Sequence, residues 1–373
     1  MRIFAITYTY NDAALVNALL GEIRRWTVKP DAILVVDDGS ATPFAPDRGD
    51  GPVPQILRLE TNQGPGRAKR AGLAAAAAAD AEVILSLDAD IRPHPDWLAT
   101  ALPHLAKPAV GLVGAEFTHG LGGDSLSRYL RAFFTPAPED KAAPFLGAGL
   151  WLMRRNVWDD LGGFGDFDQP THEDLYFCRK ITAAGLKMWS VNSKPVRQIR
   201  RLCRCAHVRR EMAYLGLAIR KMAQNHGLKH ALRPLEEQAS ARMAQILEWG
   251  EAEFLYLEIF KYTATLAWLR ANAPAPADQN AEYLLDGCLR GLGAYPNTLA
   301  LLCEDLTSVG LPQEPSAIAD VALAASPLPE AHRLHPLLLK LEWHGIRALA
   351  REERSFPFDA HYLSPPHLSL DGI

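Results

Sequence analysis

The sequence predicts an α/β fold: a mostly parallel sheet flanked by helices, followed by an all-helical C-terminal domain. Three observations carry this prediction. The first half alternates short apolar runs with helically spaced stretches. The apolar runs stop at polar clusters. After about residue 208 only helical patterns recur, separated by Pro- and Gly-containing breaks. The division is placed between residues 1–208 and 209–373, and a chain of 373 residues suits two domains better than one.

In order, Arg2–Thr7 reads as a first strand, and Asn11–Trp26 as a helix with Leu15, Leu19 and Ile23 on one face. Ala32–Val36 is a continuous apolar run, as in a buried parallel strand, and ends in Asp37-Asp38-Gly39-Ser40. Gln55–Leu59 alternates, then Gly64-Pro65-Gly66 opens an Ala-rich helix. Glu82–Leu87 is a strand that stops at Asp88-Ala89-Asp90. Pro95 starts a helix, and Val110–Phe117 is a further strand. In such sheets ligands sit beyond the carboxyl ends of the strands, where the clusters at 7–12, 37–40 and 88–90 fall. Helices are predicted over Glu211–Met222, Leu235–Trp249, Glu251–Arg270, Asn280–Leu292, Thr298–Ser308, Ser316–Ala324 and His332–Arg354, with the clearest break at Ala273–Ala277. Leu255, Ile259, Tyr262 and Leu266 share a helical face and suggest a homodimer interface.

Hydrophobic residues at 48% and charged residues at 22% exclude a largely disordered or collagen-like chain. No stretch of about 18 apolar residues occurs, so no membrane span is expected. The N-terminus lacks the pattern of a signal peptide. Five cysteines without a C-x-x-C argue against a disulfide scaffold or zinc ribbon and favour a reducing, cytoplasmic compartment. The net charge of −4 hides an asymmetry. Residues 1–186 carry 18 basic and 23 acidic side chains, 187–233 carry 12 basic and one acidic (Glu211), and 234–373 carry 9 basic and 19 acidic. The basic block either holds something anionic, such as a lipid phosphate, an anionic glycan or the inner membrane surface, or neutralises its acidic neighbours. Nucleic acid is not the expected partner.

The chemistry-bearing residues cluster. Asp88 and Asp90, at i and i+2 beyond a buried strand, can share a divalent cation; oxygen ligands of this kind suit Mg²⁺ or Mn²⁺ bridging phosphates. Asp38 can accept from a ribose hydroxyl or base N–H, or can form an Asx-type turn. Asn62-x-Gly64-x-x-x-Ala68-Lys69-Arg70-x-Gly72 puts Lys69 and Arg70 near a helix N-terminus, where a diphosphate would lie. Gly162-Gly163-Phe164-Gly165-Asp166-Phe167-Asp168 precedes Thr171-His172-Glu173-Asp174, with Glu173 and Asp174 in the first turn of an amphipathic helix. Cys203, Cys205 and His207 alternate and would share a face if extended, but three such ligands make a poor zinc site. Trp151, Trp158 and Trp189 either line a sugar subsite or pack in the core.

These motifs, together with Thr7-Tyr8-Thr9-Tyr10-Asn11 and Val36-Asp37-Asp38-Gly39-Ser40, resemble those of family 2 GT-A-type glycosyltransferases, in the family's order, over residues 1 to about 195. The resemblance implies a nucleoside-diphosphate-sugar donor, UDP-sugar favoured, a divalent metal and transfer with inversion to a glycan, lipid-phosphate or protein acceptor. It places Thr7 and Tyr8 beside the base, Asp38 on uracil or ribose, Asp88 on ribose or metal, and Asp90 on the metal. Asp174 is the implied general base, with Glu173 in reserve. Lys69 stands where the family usually has Arg, and Arg70 where it usually has Asn. His207 is a candidate further metal ligand. Gln198-Ile199-Arg200-Arg201-Leu202 resembles in part the Q-x-x-R-W element of processive synthases, without its aromatic residue. A nucleotidyltransferase would want a Gly-rich basic loop after the first strand, where Tyr8-Thr9-Tyr10-Asn11 stands. A non-catalytic binding protein would not need Asp88, Asp90 and Asp174.

Overall fold

A computed structural model of the chain describes residues 1–47, 53–120, 122–165, 167, 173–200, 202–272, 278–311 and 333–355. The predicted helix Ser316–Ala324, the break Ala273–Ala277 and residues Asp166, Asp168, Thr171 and His172 lie outside the described residues. Among the described residues the chain forms two compact units, one of 1–120 and 130–200, the other of 122–129 and 202–355.

The first unit begins β1 (Ile3–Thr9), α1 (Ala13–Ile23), β2 (Ala32–Asp37), β3 (Gln55–Arg58), α2 (Pro65–Ala78), β4 (Val83–Leu87), β5 (Ile91–Pro93), α3 (Trp97–Leu105), β6 (Val110–Gly114) and β7 (Phe117–Thr118). After α4 (Ser125–Phe134) follow β8 (Lys141–Ala143), β9 (Leu150–Arg154), α5 (Arg155–Asp160), α6 (Glu173–Ala183), β10 (Lys187–Ser190) and β11 (Val196–Gln198). Eight strands make one mixed sheet, ordered β3-β2-β1-β4-β9-β6-β10-β8. β9 runs antiparallel to both its neighbours, and β8 antiparallel to β10 at the edge. The apolar runs β1, β2 and β4 sit centrally because they are covered on both faces. Ile3, Ala5, Val35 and Leu85 pack under Leu19, Trp97 and Leu98 on one face. Phe4, Ile6, Leu34 and Ile84 pack under Leu73 and Phe177 on the other.

The run Val110–Phe117, expected as one strand, is interrupted. β6 stops at Gly114 and β7 joins a second sheet, β5-β11-β7. β11 pairs antiparallel with β5 in the register Gln198↔Ile91, bringing its end to the Asp88-Ala89-Asp90 loop. Trp151 and Trp158 are core residues, 5.5 Å and 5.3 Å from the Phe177 ring, and do not line a subsite.

The second unit is helical: α7 (Arg204–His226), α8 (Leu228–Trp249), α9 (Ala252–Asn272), α10 (Asp278–Leu292), α11 (Pro296–Ser308), α12 (His335–Lys340), a π-helical turn (Leu341–Gly345) and α13 (Ile346–Ser355). None of the described helices is long and apolar enough to cross a membrane. α9 is buried nearly all round, as a central helix is. Of the four residues behind the dimer expectation, Leu255 and Leu266 are fully buried within this unit, while Ile259 and Tyr262 are half-buried. Cys203 is the N-cap of α7, its Sγ accepting from the Ala206 N–H. The segment 204–207 is therefore helical, and the alternating face expected for Cys203, Cys205 and His207 is not formed.

Gly72 lets α2 lie close on the sheet: a Cβ there would meet Ile6 Cγ2 at 2.7 Å and Val36 Cγ2 at 2.9 Å. Both are buried on central strands and cannot yield. Gly72→Ala should therefore cost about 1–3 kcal/mol despite its better helix propensity, read as a lower urea midpoint.

Candidate active site

Lys69 is the centre of the site. It sits in the second turn of α2, on the face packed against the sheet, and is 5% exposed. Its Nζ lies 3.2 Å from Asp88 Oδ1 and 3.1 Å from Glu173 Oε1. One cation thus joins the end of β4 to the first turn of α6. Tyr8 completes the cluster: its ring lies 6.0 Å from the ammonium and its hydroxyl is 2.8 Å from Ser86 Oγ. Burial disfavours a charged lysine, but the Asp88 and Glu173 carboxylates outweigh it and hold the ammonium well above its ordinary range. Burial also raises the Tyr8 phenol.

Asp88 is pushed up to about 6, first by the protein crowding its carboxyl and then by Asp90 and Glu173, with Lys69 opposing. Asp174 is half-buried and accepts from the Leu175 N–H at 2.7 Å. Burial and the adjacent Glu173 charge raise its carboxyl above the usual range, which suits a proton acceptor.

Asp90 Oδ2 accepts from Gln198 Nε2 at 3.1 Å and Arg200 Nε at 3.2 Å, and Arg200 Nη2 reaches Asp12 Oδ2 at 2.7 Å. In the sequence Gln198 and Arg200 stand out only as part of the partial synthase-like element Gln198-Ile199-Arg200-Arg201-Leu202. Arg92, two residues beyond Asp90 and 2% exposed, was also missed. It donates to the Ala89 carbonyl at 2.5 Å, the Ile91 carbonyl at 3.0 Å and the Leu15 carbonyl at 3.0 Å, and pairs with Glu22 at 3.2 Å. It therefore holds the backbone between the two aspartates. A charge inside the apolar run Ile91-Arg92-Pro93 was the available clue.

The other predicted residues are placed differently. Asp38 accepts from the Gln63 N–H at 2.8 Å and the Gly64 N–H at 2.9 Å, tying β2 to the start of α2. Burial raises its carboxyl despite these bonds. Gly39, at φ +70°, has no room for a Cβ, which would meet the Thr61 carbonyl carbon at 2.4 Å. Thr7 is fully buried on the sheet face opposite Tyr8, as strand alternation requires, so Tyr8 alone joins the Lys69 cluster. Arg70 donates to the Gly165 and Phe167 carbonyls and so braces the glycine-aromatic run. His207 is buried on α7 in the helical unit. There its charge, with those of Arg210, Lys261 and Arg242, overcomes burial and lowers the Glu211 carboxyl.

Carboxylate oxygens, the ligand type a hard divalent cation takes, gather at the end of β4. Asp12, Asp88, Asp90, Glu173 and Asp174 outnumber the cations they meet, Lys69 and Arg200. Burial raises the Asp88 carboxyl most, and the Asp90 charge adds to it against Lys69. Among the described residues no group of three or more His, Cys, Asp or Glu side chains is arranged to hold a metal ion, so Asp88 and Asp90 would be its only two protein carboxylates at this strand end.

Lys69→Gln would leave Asp88 and Glu173 without their shared cation. We expect a loss of about 3–5 kcal/mol in urea unfolding at pH 8. The loss should shrink at pH 5.5, below the point near 6 where the Asp88 carboxyl takes up its proton.

Residues 4–162 match the family model described as Glycosyl transferase family 2. The O-antigen chain rhamnosyltransferase RfbN of Salmonella typhimurium is 28% identical over 208 residues, covering 50% of this chain and 63% of that protein. Glycosyltransferase AglE of Haloferax volcanii is 26% identical over 195 residues, covering 48% of this chain and 60% of that protein. The chain thus spans about three fifths of these relatives. The mannosyltransferase PcManGT of Pyrobaculum calidifontis, solved with GDP-Man and Mn²⁺, aligns over 87% of both chains at 20% identity and a TM-score of 0.44. Residues 4–162 of this chain are thus similar to glycosyl transferase family 2.

Proposed function

We propose that the chain transfers a glycosyl group from a nucleoside-diphosphate sugar to an acceptor hydroxyl, with inversion at the anomeric carbon. The observation that carries this reading is the Lys69 ammonium held between Asp88 and Glu173 at the carboxyl end of β4, within the family-matched domain. Asp174 acts as the general base. Its raised, half-buried carboxyl takes the proton of the acceptor hydroxyl, whose oxygen bonds to the anomeric carbon as the bond to the diphosphate oxygen breaks. Glu173 keeps Lys69 in place and is not itself the base, because its carboxylate is committed to the ammonium. Asp88 and Asp90 hold a divalent cation, Mn²⁺ or Mg²⁺, whose chemistry is to offset charge on the departing diphosphate. Gln198 and Arg200 orient Asp90, and Arg92 orients the loop between the two aspartates. A glycan acceptor fits best, since RfbN is named for adding rhamnose to an O-antigen chain.

The reading is tested by screening UDP-, GDP- and dTDP-sugars for hydrolysis and transfer, with and without Mn²⁺. Metal-dependent turnover of at least one donor is expected, and its absence for all of them overturns the proposal. Asp174→Asn should lower turnover by about 10²–10⁴-fold with donor binding retained in calorimetry. Glu173→Gln should instead lower stability.

Cation affinity should depend on pH. Because Asp88 holds its proton up to about pH 6, a cation must displace that proton below this point. Calorimetric Mn²⁺ affinity should therefore be high at pH 7.5 and fall as the pH drops through 6.

A further inference from the structure

We infer that the exposed face of the segment 333–351 is a docking surface for an anionic lipid bilayer. The segment runs as one rod through α12, the π-helical turn and α13. Its inner stripe, Leu337, Leu338, Leu341 and Leu349, is buried and meets the packing needs of the unit. Its outer stripe carries Leu339, 40% exposed, and Trp343, 66% exposed, the most exposed tryptophan among the described residues. These two stand one helical turn apart and so form a second apolar stripe with no core to enter.

The charges around that stripe have one sign. Arg333, Arg347 and Arg351 are exposed, as is Lys340, whose ammonium also donates to the Gly250 carbonyl at 2.8 Å. The described acids of the same rod point elsewhere. Glu342 is buried, accepting from the Asn297 and Thr298 N–H groups at the start of α11. Glu352 accepts from the Ser125 N–H and hydroxyl. A helical face with a central Trp and Leu among Lys and Arg matches a lipid interface. The indole sits at headgroup depth, the cations meet lipid phosphates, and no shape-complementary groove is needed.

The test is co-sedimentation of the full chain with phosphatidylcholine vesicles, with and without phosphatidylglycerol. Binding to the anionic vesicles alone is expected, weakened by high salt. Each basic residue at such a surface contributes about a fivefold change in partitioning. The pair Arg347→Glu and Arg351→Glu should therefore cut binding at least tenfold. Trp343→Ser should cut it several-fold while leaving the melting temperature unchanged, since the side chain is outside the core. No binding to anionic vesicles, equal binding to neutral ones, or binding indifferent to these variants would each overturn the inference. So would a self-association that Trp343→Ser abolishes without any lipid binding.

Discussion

The buried ammonium of Lys69 is the interaction around which the first unit is organised. An uncompensated cation at this depth would be very costly, and so would Glu173 beside it. Each is tolerable because the other is 3.1 Å away. The pair fixes the start of α6 against α2, and through Asp88 fixes both to the end of β4. α2 comes close enough for this only because its sheet-facing positions are small: Ala68, Gly72 and Ala76 surround Leu73. The packing of a nearly featureless Ala-rich helix is thus what delivers a charged group to the rim of the sheet.

The acidic strand ends divide into two kinds. Asp37 and Asp38 serve the backbone. Asp37 accepts from the Ser40 and Phe44 N–H groups and from Arg58, which hold its carboxyl below the usual range although burial opposes them. Asp38 accepts from the Gln63 and Gly64 N–H groups, although burial keeps its carboxyl raised. Asp88 and Asp90 instead meet side-chain cations and polar groups brought from α2 and β11. Such groups can be rearranged around a ligand at smaller cost than a hydrogen-bonded loop.

In the helical unit, ion pairs account for part of the uneven charge along the chain. Arg204 makes a two-pronged contact with Asp305, at 2.7 Å and 3.0 Å, and Tyr256 donates to the same carboxylate at 2.5 Å. Buried Glu258 accepts from Tyr129 and from Arg242 at 3.1 Å, with Lys261 3.7 Å away. Arg204, from 187–233, therefore meets an acid of the C-terminal stretch inside one folded unit, whereas the cations on Glu258 come from that stretch itself. Neutralisation, one of two readings of the charge block, is realised for Arg204.

Local sequence determined much of what was legible. The central strands are long apolar runs, the helices of the second unit follow 3.6-residue spacing, and Asp88-Ala89-Asp90 and Glu173-Asp174 stand where a strand stops and a helix starts. These signals lie within a few neighbouring residues. Tertiary structure alone decided that Lys69 faces Glu173 104 residues away, that Arg200 faces Asp90 across 110 residues, and that Arg70 braces a loop. It also placed the three-residue strands β8 and β11, which are too brief for periodicity to reveal and exist because partner strands supply their hydrogen bonds. A charged side chain's partner is set by which elements pack together, and that packing carries no period along the chain.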